Sequence, residues 1–217
     1  FDAPSYPDLT ALCTDPNVDA VYIASPHEFH FEHVEIAARA GKHILVEKPL
    51  AISLKEAQAI VDIVRDCGVH LIVGPSHSFD APVLQARQMI ASNEFGGLGM
   101  IQAMYYTDFL YRPRRPEELD TSRGGGVVFS QAAHQVDIIR LLGGGLIKSV
   151  RAHTGNWDEA RSTEGAYNAQ LAFEGGAFAS LTYSGYAHFD GDELVGGIGE
   201  LGRRKDPDQY GNARRTL

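Results

Sequence analysis

Positive charge, long apolar runs and paired cysteines are all scarce in this sequence, and each scarcity excludes a class of function. Lys and Arg number 19 against 28 Asp and Glu, a formal charge of −9. Affinity for phosphate backbones and anionic lipid comes from basic side chains, so neither nucleic acid nor a membrane surface is an expected partner. No apolar run reaches the roughly 18 residues of a membrane span, and no basic-then-apolar leader opens the chain. The two cysteines, Cys13 and Cys67, lack CxxC spacing. They read as thiols of a reducing compartment, not as a disulfide framework. Internal repeats and low-complexity segments are missing too. The expectation is a cytoplasmic protein.

What is present is ordinary globular material. Apolar residues make up 44% and charged residues 22% of 217 positions, enough for one large domain or two modest ones at about 100–200 residues each. The first third alternates strand and helix. Ala20 to Ala24 is a short apolar run stopped at Ser25-Pro26, as suits a buried parallel strand. Residues from about Phe29 to Ala40 read as a helix, with Gly41 where a left-handed cap belongs. Ile44-Leu45-Val46 makes a second strand, closed by Glu47-Lys48-Pro49. Ser53 and Glu56 form a capping box for a helix carrying Ala57, Ile60, Val61 and Val64 at helical spacing and ending at Gly68. Val69 to Val73 is a third strand. Such alternation implies a doubly wound α/β domain with a parallel sheet.

Later residues change character. A helix from about Pro82 to Ser92 precedes an extended stretch from Ile101 to Phe109. An Arg- and Pro-rich loop follows, then Gly124-Gly125-Gly126 and a helix to about Leu142. Tyr167, Ala169, Leu171 and Phe173 alternate at period two. Glu174-Gly175-Gly176 turns the chain, and Ala177, Ala179, Leu181 and Tyr183 resume the alternation, a hairpin of an antiparallel sheet with one buried face. Arg203 to Arg215 is polar and reads as a loop. The fold class is therefore α/β: a Rossmann-like part over 1–77 and an α+β domain with a largely antiparallel sheet over 78–217. Nothing before Ala20 supplies the glycine-rich strand-turn-helix that starts a doubly wound domain, so the natural chain is expected to extend upstream of Phe1. The ending at Leu217 is expected to be incomplete as well.

Three clusters carry chemistry. Ser25-Pro26-His27-Glu28-Phe29-His30 lies at the carboxyl end of a parallel strand, where ligands bind in open α/β sheets, before a helix whose first amides suit an anion. An ordinary strand-to-helix turn is the plain alternative. His27, His30 and His33, spaced three and three, do not gather at one tetrahedral centre as His-x3-His does, so no metal is expected. Glu47-Lys48-Pro49 ends the next strand on the same rim. An ammonium held there can stabilise a developing alkoxide and pass on its proton, although most lone lysines simply face solvent. After the triple glycine, whose backbone can approach a ligand closely, His134 and Asp137 share a helix face. The carboxylate can hold the imidazole there, or the pair can be structural.

Together these segments resemble the Gfo/Idh/MocA oxidoreductases: Ser-Pro-His-x2-His, the run from Ala40 to Pro49 (Ala-Gly-Lys-His-Ile-x-Val-Glu-Lys-Pro), and the triple glycine leading to His134-x2-Asp137. The resemblance spans nearly the whole chain. It implies NAD or NADP as cofactor, Lys48, His134 and Asp137 as catalytic residues, and Ser25, Pro26, His27, His30, Glu47 and Lys48 around the nicotinamide. It also implies a homo-oligomer, dimer or tetramer. Two departures stand out. Ser25-Pro26-His27 replaces the usual Thr-Pro-Asn, and Ser130 replaces the usual Asp four residues before the histidine.

A finer likeness runs from Tyr111 to Arg123 and from Ser180 to Glu193, which are similar to members acting on phthalate 4,5-cis-dihydrodiol. That likeness implies a small-molecule dicarboxylate substrate. Arg112, Arg115 and Arg123 would receive its carboxylates beside His134, whereas Arg114 faces water. The alternatives are a sugar or inositol dehydrogenase, and a non-catalytic nucleotide-binding regulator.

Overall fold

The computed structural model describes residues 4–199, 202–206 and 208. The chain forms two compact units, one of Phe1–Pro75 with Ser122–Gly124 and one of Ser76–Thr121 with Gly125–Leu217. The tail expected to be polar from Arg203 falls mostly outside the described residues, at 207 and 209–217.

The first unit runs α1 (Leu9–Thr14), β1 (Ala20–Ile23), α2 (His30–Arg39), β2 (His43–Val46), α3 (Leu54–Cys67) and β3 (Leu71–Val73). The strands pair in parallel in the order β1-β2-β3. Val21, Ile23, Ile44 and Val46 point to one face and pack with Val34, Ala37 and Ile60 of the helices into one core. The opposite face is open among the described residues. Tyr22, Leu45 and Ile72 stand opposite one another across the strands and are 58%, 41% and 62% exposed. The strands expected to be buried on both sides are thus covered on one.

Local punctuation follows the residues. Ser53 Oγ accepts from Glu56 N–H at the start of α3 and Gly68 closes it at φ +68°, where a Cβ would be strained. A short 3-10 turn, His27–Phe29, separates β1 from α2. In it Phe29 N–H donates to Pro26 O, and proline has no donor, so fewer amides stand free there than the sequence suggested.

The second unit holds α4 (Ala81–Ser92), β4 (Met100–Tyr106), α5 (Ala133–Gly143), β5 (Ile147–Gly155), β6 (Ala166–Phe173) and β7 (Phe178–Ser184). Its sheet has the order β4-β7-β6-β5. The β6–β7 hairpin has the expected alternation, with Leu171, Phe173, Ala179, Leu181 and Tyr183 all buried in one core. Two features depart from the sequence reading. β4 joins β7 in parallel, so the sheet is mixed. β5, which the sequence did not reveal, is an edge strand exposed along most of its length, so it carries no hydrophobic alternation to read.

The helix after the triple glycine also differs. It opens as a π-helical segment, Val128–Ala132, before α5 begins. Two of the glycines are required by the protein's own packing. A Cβ on Gly125 would lie 2.5 Å from Glu117 O, and one on Gly126, at φ +87°, would collide with the Glu164 carboxylate.

Candidate active site

In the first unit, the carboxyl ends of the parallel strands are tied to one another. Glu47 N–H donates to Ile23 O, and Gly74 N–H donates to Val46 O. Ser25 Oγ and His33 Nδ1 lie 2.9 Å apart. Glu47 accepts from the Tyr22 hydroxyl at 2.5 Å and from the Lys48 N–H at 3.2 Å. The hydrogen bond to that carboxylate raises the Tyr22 phenol above its ordinary value. Lys48 and Pro26 are half-buried, and the Lys48–Pro49 peptide is cis.

His30 is placed differently from its expected role. It is 0% exposed, with Nδ1 at 2.7 Å from Pro49 O and Nε2 at 3.0 Å from Ser25 O. Both nitrogens face backbone carbonyls, so the ring ties the two strand-end loops together beneath the rim instead of lining it. His27 Nδ1 sits 2.8 Å from Gly124 O. Arg123 forms a two-point pair with Glu28 at 2.5 and 2.7 Å. These two contacts anchor the strap Ser122–Gly124 within this unit. The sequence put Arg123 beside the substrate; the structure puts its guanidinium on a carboxylate of its own chain.

In the second unit a cavity of about 590 Å³ opens beside His134. Its wall is apolar over most of its area, with Pro82, Val83, Ile138 and Ile139, and carries polar groups of His77, Asp80, Gln102, Gln131, His134, Gln135 and Asp192. The His77 and His134 rings stand 4.1 Å apart between centroids, inclined by 58°. His77 Nδ1 lies 3.1 Å from Asp80 Oδ2. Sequence reading missed both residues, although His77-x2-Asp80 repeats the spacing that singled out His134 and Asp137. Asp137 is half-buried on α5, whereas the ring packed on His134 is that of His77. Ser130 is buried within the π segment, where a neutral hydroxyl is less costly to bury than a carboxylate. Burial pushes the Tyr183 phenol well above its ordinary value, so at the cavity wall it remains a hydroxyl, 3.0 Å from Thr107 Oγ1.

Several cations of the second unit are likewise engaged. Arg112 Nε donates to Asp108 at 2.9 Å, and Arg115 Nε lies 3.2 Å from Glu117 and 3.5 Å from Glu118. Neither is among the residues lining the cavity. Arg114, expected to face water, is instead 17% exposed, stacked 3.7 Å over the Phe109 ring and 3.5 Å from Glu118. Burial lowers its pKa. Lys205 sits between Asp190 at 2.9 Å and Asp192 at 2.5 Å. Burial opposes the Lys205 ammonium, but the hydrogen bonds to those two carboxylates outweigh it and raise its pKa.

The chain matches known proteins along most of its length. Residues 1–75 match the oxidoreductase family with an NAD-binding Rossmann fold, and residues 83–201 match the GFO/IDH/MocA C-terminal domain. The chain belongs to the Gfo/Idh/MocA oxidoreductase family. It is 52% identical, over 91% of its length, to the 1-carboxy-3-chloro-3,4-dihydroxycyclohexa-1,5-diene dehydrogenase of Comamonas testosteroni, covering 50% of that protein. It is 35% identical, over 67% of its length, to the scyllo-inositol 2-dehydrogenase (NAD(+)) of Bacillus subtilis (strain 168), covering 41% of it. A crystal structure described as that of a dehydrogenase from Bordetella bronchiseptica RB50 superposes with a TM-score of 0.92 at 48% identity, over 98% of this chain and 55% of that one. The chain thus spans about half the length of the curated relatives it matches. No helix among the described residues is long and apolar enough to cross a membrane.

Proposed function

We propose that this chain carries reacting residues of a nicotinamide-dependent dehydrogenase that oxidises a ring carbinol in a carboxylated cyclohexadiene cis-diol, of the phthalate dihydrodiol kind. The observation that carries this reading is the cavity beside His134. A polyol such as inositol presents a hydroxyl on every ring carbon, and those that face the apolar part of the wall would lack partners. The carbon of a cyclohexadiene ring suits such walls, while its carboxylates meet no Arg or Lys among the described residues that line the cavity. The named activity of the Comamonas relative supports the same substrate class.

The strand ends fit the nicotinamide half of NAD or NADP. A hydroxyl (Ser25) and a half-buried lysine (Lys48) each stand two residues past the carboxyl ends of the adjacent parallel strands β1 and β2. A bound nicotinamide supplies the hydride acceptor. Lys48 and His134 share removal of the hydroxyl proton, Lys48 by stabilising the alkoxide and His134 by taking the proton. Asp137 supports the imidazole from the same helix. The diol carbon loses a hydride and the oxygen a proton, giving a ketone that tautomerises to a catechol; aromatisation draws the oxidation forward.

We also propose a cytoplasmic homo-oligomer, in line with two free thiols and an exposed apolar strip of Met100, Met104 and Phe178 on one sheet face. The test is turnover by the complete protein of the dihydrodiol with and without its carboxylates, and of inositol, with each nicotinamide cofactor. The diols should be oxidised far faster than inositol. Preferential oxidation of inositol or a sugar would overturn the reading, and no turnover of any of them with cofactor still bound would make the chain a nucleotide-binding regulator.

A further inference from the structure

The His77 imidazole sits in the turn between β3 and α4, and four observations give it a task. Its ring packs on His134 at 4.1 Å between centroids. Its own plane is fixed by Asp80, whose carboxylate lies 3.1 Å from Nδ1. A carboxylate only accepts, so in the neutral ring the proton is on Nδ1 and the lone pair on Nε2. Asp80 is itself held by the fold. It precedes α4, and its carbonyl accepts from Val83 and Leu84 N–H at 2.9 and 3.0 Å. Finally, His134 is the second residue of α5, directly after the π-helical segment that ends at Ala132. Helical hydrogen bonding changes register there, so the ring's orientation depends on what packs against it as well as on its own helix.

We propose that His77, held by Asp80, positions the His134 imidazole for proton removal. This deepens the reading above and rests on it, since it assumes that His134 touches the reacting hydroxyl. His77 acts through His134 and is a positioning residue. The arrangement resembles the outer-shell carboxylate and imidazole partners that fix a functional histidine elsewhere, with a ring face in place of a hydrogen bond as the final contact. Loss of such support displaces a reacting group by a fraction of its own size, and misplacement on that scale costs up to roughly 10²-fold in rate.

The experiment uses the complete protein and the variants His77→Ala, Asp80→Ala, His134→Ala and the double variant His77→Ala/His134→Ala. His77→Ala should lower kcat about ten- to hundred-fold. KM for the diol and Kd for the nicotinamide cofactor, the latter by fluorescence titration, should move less than about threefold. Asp80→Ala should change kcat in the same direction by less. Because His77 works through His134, the double variant should be no slower than His134→Ala alone. In cofactor-free protein, imidazole nitrogen NMR should show the His134 signals moved by His77→Ala. Should that variant melt too low to assay, His77→Phe, which keeps a ring but cannot bond Asp80, is read in its place and should show the NMR change and a partial loss of kcat. A double variant slowed by the full product of the single effects, or His134 signals left unmoved, would overturn the proposal. Near-normal turnover by His134→Ala would instead sink the underlying assignment of His134, whatever His77→Ala does.

Discussion

Arg123 and Glu28, 95 positions apart, meet in a two-point ion pair: Nε donates to Oε2 at 2.7 Å and Nη2 to Oε1 at 2.5 Å. The pair holds the strap before the triple glycine against the β1 end of the nucleotide unit. Arg123→Ala and Glu28→Gln should therefore have similar effects, each lowering stability by at most about 1 kcal/mol for a partly exposed pair, and the double variant should be no worse. Denaturant midpoints of the four proteins check this. A rise in KM confined to Arg123→Ala and to carboxylated diols would return the guanidinium to substrate binding.

Lys48→Ala and His134→Ala should each lower turnover by about 10²-fold or more, the usual scale for acid–base groups, while cofactor binding changes less. Steady-state kinetics with a separate cofactor titration reads both quantities. Near-normal turnover in both would place the chemistry elsewhere.

Gly126 has φ +87°, and any Cβ there would strike Glu164 and Thr163. Gly126→Ala should destabilise the second unit by more than about 1 kcal/mol, from strained backbone and overpacking together. Thermal melting detects it as a fall of several degrees. An unchanged melting temperature would mean that the backbone at Gly126 relaxes freely, and that the glycine answers to a ligand instead.

Burial works to raise the Glu118 carboxyl, but the Arg115 N–H it accepts and the Arg114 and Arg115 charges hold it below the usual carboxylate range. A depressed folded pKa stabilises the protein above the unfolded value, about 4.3, and that stability fades as pH falls through the folded value. Glu118→Gln should thus weaken the protein at pH 7 by under about 1 kcal/mol, with the difference shrinking below about pH 4. Urea midpoints across that range decide it, and a difference that grows on acidification would reverse the sign.

Much of the fold was legible because local chemistry repeats along the chain. Ser53 and Gly68 bracket α3, Ile23 and Val46 carry the buried face of the parallel strands, and Leu171 and Leu181 mark the hairpin. β5 was not legible, since an exposed edge strand has no buried face to impose a pattern. The parallel partnership of β4 and β7 escaped as well, because pairing direction across long connections is set by how the chain returns and not by strand composition.

By itself, then, the sequence determined the alternating α/β unit, the hairpin sheet and the family motifs that bring Lys48 and His134 into view, all of which rest on residues close together in the chain. Which group each polar side chain faces is set by the three-dimensional fold. It put His30 beneath the rim between two carbonyls, Arg112, Arg115 and Arg123 on internal carboxylates, and His77 against His134. An imidazole or guanidinium acts through its nearest neighbours in space: Arg112 and Arg115 find theirs two to four residues away, whereas those of Arg123 and His77 come from segments up to 95 positions distant, a separation that leaves no periodic trace in the sequence.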